Sequence, residues 1–165
     1  MYSENIHKVS INDAFQPYTE LLNLAFSTVA AEFNLTKQNC PTNNAFITSE
    51  ELKTQLTEVN EFYCYFLDAI PVGFIAIEKS MRAENLYYIE NVAVHPEYRH
   101  KNIGKQLMAF ASNRIKDMGG SVISIGIIDS NSRLKEWYKQ LGFRETSIKQ
   151  FAHLTFDVCY LDKII

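Results

Sequence analysis

Residues 88–104 read YIENVAVHPEYRHKNIG, a pattern that predicts a buried strand followed closely by a helix. The strand, residues 86–94, is rich in the β-branched and aromatic side chains that favour sheets. It ends at His95-Pro96, because proline lacks an amide donor and pushes the preceding residue out of the helical region. A helix then begins near Ile103, since Leu107 and Ala111 follow at helical spacing.

The turn that opens this helix predicts a binding site for an anion. Successive backbone amides in such a turn, together with the positive end of the helix dipole, make a concave site for phosphate. Three cationic or potentially cationic side chains lie in the same turn, and the pattern therefore indicates a di- or triphosphate-like ligand across the end of the strand. The residues predicted to contact it are Arg99, His100, Lys101, Asn102, Ile103, Gly104 and Lys105.

A second strand and helix follow the first pair. Residues 122–128 predict a strand and residues 131–140 a helix, and Leu141-Gly142-Phe143 comes directly after it. Asn131 is suited to cap the start of this helix, and Gly142 is suited to end it. Tyr138 lies seven residues after Asn131, about two helical turns, so the two side chains share one side of the helix.

These two units resemble the cofactor motifs of the GNAT N-acetyltransferase superfamily. The family's phosphate motif reads Arg or Gln, two residues, Gly, one residue, then Gly or Ala, and Arg99, Asn102 and Gly104 stand at those positions. Asn102 replaces the first glycine, and Asn is the non-glycine residue that most readily accepts a positive φ. The family's second motif is matched in order and spacing by Asn131, Tyr138, Gly142 and Phe143.

The resemblance implies an α/β (α+β) GNAT fold, in which a mixed central sheet of about seven strands carries helices on both faces. The implied order is β-α-α-β-β-β-α-β-α-β-β, within one domain over residues 1–165. The periodicity of the chain matches this order. It predicts strands at 6–11, 61–67, 72–79, 144–150 and 153–161, a helix at 14–33, a loop at 34–48, and a short helix capped by Ser49.

The family's cofactor, acetyl-CoA, enters a notch where the fourth and fifth strands splay apart. The resemblance implies that the amides of Val92, Ala93 and Val94 pair with its pantetheine arm, with a bulge near Val92-Ala93. The implied reaction is direct transfer of acetyl to a primary amine of a small molecule or peptide in a ternary complex. The family's tyrosine at the position of Tyr138 protonates the departing thiolate.

The resemblance makes Glu90 the candidate for the general base, since some family members that acetylate small amines also carry a glutamate there. Glu90 could equally be a strand glutamate that points to solvent or pairs with a cation. Tyr87, Tyr88 and a chain of water molecules are the alternatives for the base. The oxyanion donor is a backbone amide around Val92 or Ala93.

Composition narrows the class of protein. The chain has 165 residues, 47% hydrophobic and 21% charged, with a net charge of −3, which fits a globular domain and disfavours a nucleic-acid partner. No apolar run approaches the roughly 20 residues that span a bilayer, and the N-terminus lacks the apolar stretch of a signal peptide. We therefore expect a cytoplasmic protein without a membrane partner. Three distant cysteines and four unpaired histidines predict no metal site.

The alternatives to this interpretation are a P-loop enzyme and a non-catalytic domain that binds acyl-CoA. A P-loop enzyme is disfavoured because the chain has no GxxxxGK[ST] run. A non-catalytic domain that binds acyl-CoA as a sensor or docking module is the alternative, and a longer acyl donor such as succinyl-CoA also stays open.

The acceptor and the assembly are the least constrained features. Acceptor candidates are a small amine, an aminoglycoside-like polyamine, an amino acid or a peptide N-terminus. Residues 18–48 and 147–154 are expected to shape its site, with aromatic walls drawn from Tyr18, Phe26, Phe33, Phe46 and Phe151. The alternation of Leu154, Phe156, Val158 and Tyr160 predicts a strand close to a sheet edge, and hence a homodimer through it.

Overall fold

The computed structural model describes residues 4–165. Within them the element order is the one expected from the sequence. The elements are β1 (Ile6–Lys8), α1 (Gln16–Glu32), α2 (Ser49–Gln55), β2 (Asn60–Leu67), β3 (Ile70–Lys79), β4 (Leu86–Val94), α3 (Ile103–Asp117), β5 (Val122–Ile128), α4 (Ser132–Gln140), β6 (Arg144–Lys149) and β7 (Val158–Ile164). A 3-10 turn, Pro96–Tyr98, joins β4 to the segment before α3.

The strands form one mixed sheet in the order β1-β2-β3-β4-β5-β7-β6. Only the β4–β5 pair is parallel among them. Alternate side chains of β3 point to opposite faces, as a pleated strand requires. Phe74 and Ala76 pack with residues of α1 and α2, whereas Ile75 and Ile77 pack with residues of α3 and α4. The sheet is therefore covered on both faces, which confirms the predicted α+β architecture.

The sheet opens in its middle, between β4 and β5. These strands pair only from Leu86 opposite Val122 to Tyr88 opposite Ser124, although β5 continues against β7 as far as Ile128. On the other side of β4 the register against β3 shifts between Glu90 and Ala93. Asn91 takes a left-handed conformation there, with φ 54°. The expected bulge is thus present at Asn91–Val92, one residue earlier than predicted, and the expected notch follows it.

The C-terminal strand differs from the prediction. It begins at Val158 and not at residue 153, because Leu154 and Phe156 lie in a loop and pack against a separate cluster around Leu35 and Cys40. β7 is also an interior strand, paired with β5 and β6. Its amides are therefore not the free edge on which the homodimer prediction rested. The border strand is β6, and homodimerisation stays a prediction.

Two smaller boundaries also differ. The first strand ends at Lys8 and not at Ile11. The short helix α2 is capped by Thr48 and not by Ser49, since Thr48 Oγ1 accepts a hydrogen bond from the Glu51 amide and the Glu51 carboxylate accepts one from the Thr48 amide. This reciprocal pair is a capping box.

Among residues 4–165, no helix combines the length and the apolarity needed to cross a membrane.

Candidate active site

The turn before α3 presents a row of backbone amides. His100 and Asn102 both take left-handed conformations, with φ 61° and 66°, so Asn102 forms the turn that a glycine would otherwise form. The helix begins at Ile103. The amides of Ile103, Gly104 and Lys105 lie in its first turn, where no intrahelical acceptor exists. The turn is thus a concave group of donors at a helix N-terminus, which suits an anion.

The polar side chains of this turn are open to solvent. His100, Lys101, Asn102 and Lys105 are exposed, and Asn102 makes no capping hydrogen bond with its side chain. Lys101 lies with its Nζ 4.9 Å from the centre of the Tyr98 ring. Positive charge therefore surrounds the amide row without being neutralised by a salt bridge from Lys101 or Lys105 to any of residues 4–165.

Arg99 makes contacts that the sequence did not predict. Its Nη2 donates to the Ala25 carbonyl at 3.0 Å and to Thr28 Oγ1 at 3.1 Å. Its Nε donates to the Val94 carbonyl at 3.3 Å. The guanidinium thus fastens the phosphate turn to α1 and to the end of β4. Its contact with a phosphate stays a prediction.

Gly104 allows α3 and α4 to approach each other closely. A Cβ at this position would lie 3.2 Å from Trp137 Cζ2 and 3.8 Å from Val94 Cγ2. The first neighbour crowded by a larger residue is therefore the indole ring. Sequence reasoning did not select Trp137, although it is the single tryptophan of the chain and precedes Tyr138.

Tyr138 is buried, with 5% of its surface exposed. Its ring packs edge-on against Trp137 at 4.9 Å and against Phe143 at 5.5 Å. Burial raises the pKa of its hydroxyl well above the usual range, so the group stays protonated over the pH range in which proteins work. The phenol is thus in the protonated form that a proton donor needs, and its raised pKa makes it a weaker acid than an ordinary tyrosine.

The predicted cofactor residues of the two motifs converge on one cluster. Ile103 and Tyr138 belong to the hydrophobic core on the α3 side of the sheet, and Val92 and Val94 pack against it. Asn131 caps α4, because its Oδ1 accepts a hydrogen bond from the Leu134 amide at 3.2 Å. Ala93 points the other way, into the core beneath α1.

Glu90 lies on the opposite face of the sheet from Tyr138. It is opposite Ala76 in the ladder, and Ala76 packs on the side of α1 and α2. There Glu90 lines an open recess together with Glu78. Burial among the walls, and secondly the charge of Glu78, raise the pKa of Glu90. No salt bridge neutralises Glu90 within residues 4–165, so the expected alternative of pairing with a cation is not seen. Because Glu90 is exposed, the alternative of a solvent-facing strand glutamate stays open, and its role as the base stays a prediction.

The two tyrosines considered as alternative bases have other contacts. The Tyr87 hydroxyl donates to the Met118 carbonyl at 3.2 Å, at the end of α3. The Tyr88 hydroxyl accepts a long hydrogen bond of 3.5 Å from Ser80. Tyr87 is therefore held away from the notch on the α3 side.

The aromatic residues expected to form acceptor walls mostly pack in the interior. Tyr18 packs in the core beneath α1, with Phe26 against it, and Phe33 and Phe46 pack against the cluster around Leu35. Phe151 lines a second recess in the β6–β7 loop. The walls of the recess beside Glu90 are instead mostly polar. Asn44 among them falls within residues 18–48, which were expected to shape the acceptor site, whereas Asn60 and Glu78 were missed by sequence reasoning.

One further cluster of acidic and sulfur groups lies under α4. Asp129, Glu145 and Cys159 bring three potential metal-binding atoms within 4.8 Å of one another. Lys135 Nζ lies between the carboxylates, 2.5 Å from Asp129 and 3.0 Å from Glu145. The lysine supplies the positive charge that these groups need, and the cluster forms an ion-pair network that joins α4 to β6.

Comparison with known proteins identifies the family and the fold. The family model described as "Acetyltransferase (GNAT) domain" matches residues 32–156. Over 66 residues the chain is 33% identical to thialysine N-epsilon-acetyltransferase of Bos taurus, a match of 40% of this chain and 39% of that protein. This chain thus matches only about two fifths of that relative's length. A protein of Lactobacillus delbrueckii subsp. lactis, named as an uncharacterized N-acetyltransferase, is 25% identical over 145 residues, 81% of this chain and 82% of its own.

Solved structures share the fold along almost the whole chain. The PaiA N-acetyltransferase from Thermoplasma acidophilum, in complex with coenzyme A, superposes with a TM-score of 0.77 at 21% identity, over 97% of this chain and 98% of that one. A GNAT family acetyltransferase from Elizabethkingia anophelis with acetyl-CoA bound gives a TM-score of 0.71 at 20% identity, over 99% and 100%.

Proposed function

This chain belongs to the GNAT acetyltransferase family, and on that premise we propose that it transfers an acetyl group from acetyl-CoA to a primary amine of a small molecule or peptide. The observation that carries the proposal is the opening between β4 and β5 directly before the amide row of the α3 turn. The turn before α3 suits the anionic phosphates of a CoA-like ligand. The gap between β4 and β5 suits its extended pantetheine arm.

The residues of the notch fit this cofactor. The first-turn amides of α3 and the exposed Lys101 and Lys105 would hold the pyrophosphate. The bulged part of β4, at Val92 to Val94, has no partner strand on the side of β5 and would hold the pantetheine arm as an added strand. When bound, acetyl-CoA supplies the activated acetyl group as a thioester.

The chain's own groups divide the proton transfers between the two faces of the sheet. Glu90, on the α1 and α2 face, would accept a proton from the incoming ammonium, either directly or through water. Its raised pKa makes it a stronger base than an ordinary glutamate. Tyr138, on the α3 face, would donate a proton to the departing sulfur from a hydroxyl that is protonated at neutral pH. A backbone amide near Val92 would stabilise the oxyanion.

The protein's location is part of the same proposal. All three cysteines, Cys40, Cys64 and Cys159, are buried free thiols, which fits a reducing compartment. We place the protein in the cytoplasm.

The test replaces Tyr138 with phenylalanine. Tyr138→Phe keeps the ring and its packing, so we expect CoA affinity to change little while turnover of acetyl-CoA with a panel of amines falls roughly 10²- to 10⁴-fold. Calorimetry gives the affinity, and thiol release gives the turnover.

The matched control is Tyr87→Phe, which removes another buried hydroxyl on the α3 side but outside the notch. We expect it to keep most of the turnover. Full activity in Tyr138→Phe contradicts the proton-donor role. Binding of acetyl-CoA by the wild type without turnover of any amine favours a sensor, and faster turnover of succinyl-CoA favours a longer acyl donor.

A further inference from the structure

A recess beside the notch is lined by acidic and neutral polar groups. It has a volume of about 440 Å³ and lies on the α1 and α2 face of the sheet, where Gln55 at the end of α2 forms one wall. Nine residues line it, and they include Glu78 and Glu90 but no lysine, arginine or histidine. Two carboxylates therefore share one cavity without a cation from its own walls.

The strand register explains why these groups meet. Asn60 on β2 is directly opposite Glu78 on β3, and Glu90 on β4 is opposite Ala76, two residues from Glu78. Directly opposed residues project from the same face, and diagonal neighbours such as Glu78 and Glu90 lie about 7–8 Å apart. The repulsion between them contributes to the raised pKa of Glu90. The three side chains thus form a patch of hydrogen-bond acceptors across three strands.

Asn60 supplies a second, independent sign of a missing donor. Only 9% of its surface is exposed, and its Nδ2 donates to the Gln55 carbonyl at 2.9 Å. That bond fixes the orientation of the amide. Its Oδ1 has no hydrogen-bond partner within residues 4–165. Buried polar atoms are almost always paired, so a residue that lines the recess lacks one donor.

The loop between α1 and α2 forms another wall of the recess, and hydrogen bonds hold this loop in place. Asn23 on α1 donates to the Asn44 carbonyl at 2.8 Å and to the Ile47 carbonyl at 3.1 Å. Asn44 Nδ2 in turn donates to Asn91 Oδ1 at 2.7 Å, at the bulge of β4. The recess is therefore a formed feature of the fold, and it opens beside the residue proposed as the base.

We propose that this recess binds a second cationic group of the acceptor, so that the enzyme selects diamines and related polycationic amines over monoamines. The proposal rests on the proposed function. One amine of the acceptor lies at Glu90 and is acetylated. The other, as an ammonium, lies against Glu78 and donates toward Asn60 Oδ1.

The recess is better suited to an organic cation than to a metal ion. Within residues 4–165, the group of three or more acidic, sulfur or imidazole side chains whose ligand atoms lie together is the one at Asp129, Glu145 and Cys159, outside the recess, whereas Ca²⁺ and Mg²⁺ take about six or more oxygen ligands. A flexible chain with an ammonium at each end can span Glu78 and Glu90.

The test compares two acceptors of equal chain length, cadaverine with two amines and pentylamine with one. We expect the wild type to prefer cadaverine in kcat/KM by roughly tenfold or more, the ratio that one charge-assisted contact supplies. Glu78→Gln is similar in size and removes only the charge. It should abolish the preference by raising KM for cadaverine, whereas its lowering of the Glu90 pKa should change kcat for both amines to the same extent.

Glu84→Gln is the matched control, because Glu84 is an exposed glutamate in the β3–β4 connection that does not line the recess. It should leave the preference intact. Equal use of both amines by the wild type overturns the proposal, as does a preference that survives Glu78→Gln.

Calorimetry with cadaverine alone separates this proposal from the proposed function. If no amine of the panel is acetylated but cadaverine binds and the binding needs Glu78, the recess is a cation site and the proposed acetyl transfer is wrong. If pentylamine and cadaverine are acetylated with equal kcat/KM, the proposed function stands and the recess proposal is wrong. Absence of both binding and turnover contradicts both.

Discussion

Glu90 is an ionisable group in surroundings that disfavour its charge. Its side chain is exposed to the recess, yet the surrounding walls still remove part of its hydration, and Glu78 adds a like charge. Both effects raise its pKa above the ordinary value of a glutamate. A carboxylate base becomes more effective as its pKa approaches the working pH. The same surroundings that cost stability thus prepare the group for proton transfer.

The residue-scale prediction concerns the pH profile. Glu90 accepts a proton only when it is ionised, so wild-type kcat/KM should fall as the pH drops through its raised pKa. Glu90→Gln should lower turnover and be partly rescued at higher pH, where more of an amine with a pKa near ~10 is already neutral. Single-turnover rates of acetyl transfer across pH measure both effects.

Glu78→Gln tests the same assignment by shifting the pKa of Glu90. Loss of the neighbouring negative charge lowers the pKa of Glu90, so the acidic limb of the profile should move to lower pH while its shape is kept. A profile that is identical in wild type and Glu90→Gln would assign the base elsewhere.

Single residues differ in how far the sequence could predict them. The left-handed turn at Asn102 and the capping by Asn131 follow from local preferences of asparagine, which a sequence displays directly. Glu78 and Asn60 could not be selected, because their meeting with Glu90 depends on the register of three strands. Register is set by turns and bulges, and the bulge at Asn91–Val92 decides which residue of β3 Glu90 faces.

At the scale of elements, Arg99 joins three segments that are distant in sequence. Its guanidinium bonds α1 at Ala25 and Thr28 and also bonds the end of β4. The Ala25 carbonyl also accepts from the Thr28 hydroxyl at 2.9 Å, so Arg99 joins a hydrogen-bond network at this part of α1. The contacts fix the phosphate turn against α1, whose neighbouring loop forms the recess.

The element-scale prediction contrasts two basic residues of this turn. Arg99→Ala removes charge-assisted hydrogen bonds, so we expect the free energy of unfolding to fall by about 1–3 kcal/mol, with weaker CoA binding as the turn loosens. Lys101→Ala removes an exposed charge, so it should change stability by less than about 0.5 kcal/mol and weaken CoA binding alone. Urea denaturation and calorimetry measure the two quantities. Equal stability of the two variants would show that the Arg99 contacts are marginal.

Element boundaries were predictable where local chemistry sets them. β4 and β5 were predicted to the residue because β-branched residues fill them and His95-Pro96 ends β4. The last strand was misplaced because Leu154 and Phe156 alternate as a strand would. Their alternation serves a different contact, with the cluster around Leu35 and Cys40, which only the folded chain brings near. Tertiary packing here overrides a period of two.

At the scale of the whole molecule, Glu61 connects the N-terminal strand, the sheet and α3. Its carboxylate accepts from Arg114 Nη2 and Nε at 2.9 Å each, from Lys8 Nζ at 2.5 Å and from the Tyr63 hydroxyl at 2.8 Å. Burial alone would raise the pKa of Glu61, but these hydrogen bonds outweigh it and lower the pKa from 4.5 to about 2. The folded state therefore binds the ionised form more strongly than the unfolded state does.

The whole-molecule prediction is a pH-dependent loss of stability. Because the folded pKa is depressed, the contribution of Glu61 is present above pH 4.5 and is lost as the pH falls toward about 2. At neutral pH, Glu61→Gln should lower the free energy of unfolding by about 1–3 kcal/mol, toward the lower end because solvent screens the partly exposed Arg114. Urea denaturation at neutral and acidic pH measures it.

Glu58→Gln is the control, since Glu58 is an exposed glutamate nearby with no salt bridge to residues 4–165. It should leave stability nearly unchanged at either pH. A difference between wild type and Glu61→Gln that persists undiminished at pH 2 would mean that the network acts through packing and not through charge.

The short β4–β5 ladder gives the sheet two borders in its interior as well as two at its ends. Four strands lie on one side and three on the other. The β4–β5 ladder between them has three register positions, and the Asn85 carbonyl just before β4 accepts from the Ser121 and Val122 amides. A ligand that pairs with both β4 and β5 where they separate would connect the two halves of the sheet. Its binding free energy then adds to the stability of the fold, about 2.7 kcal/mol at a concentration 100 times its Kd. Ligand binding between β4 and β5 and the stability of the sheet are thus thermodynamically linked.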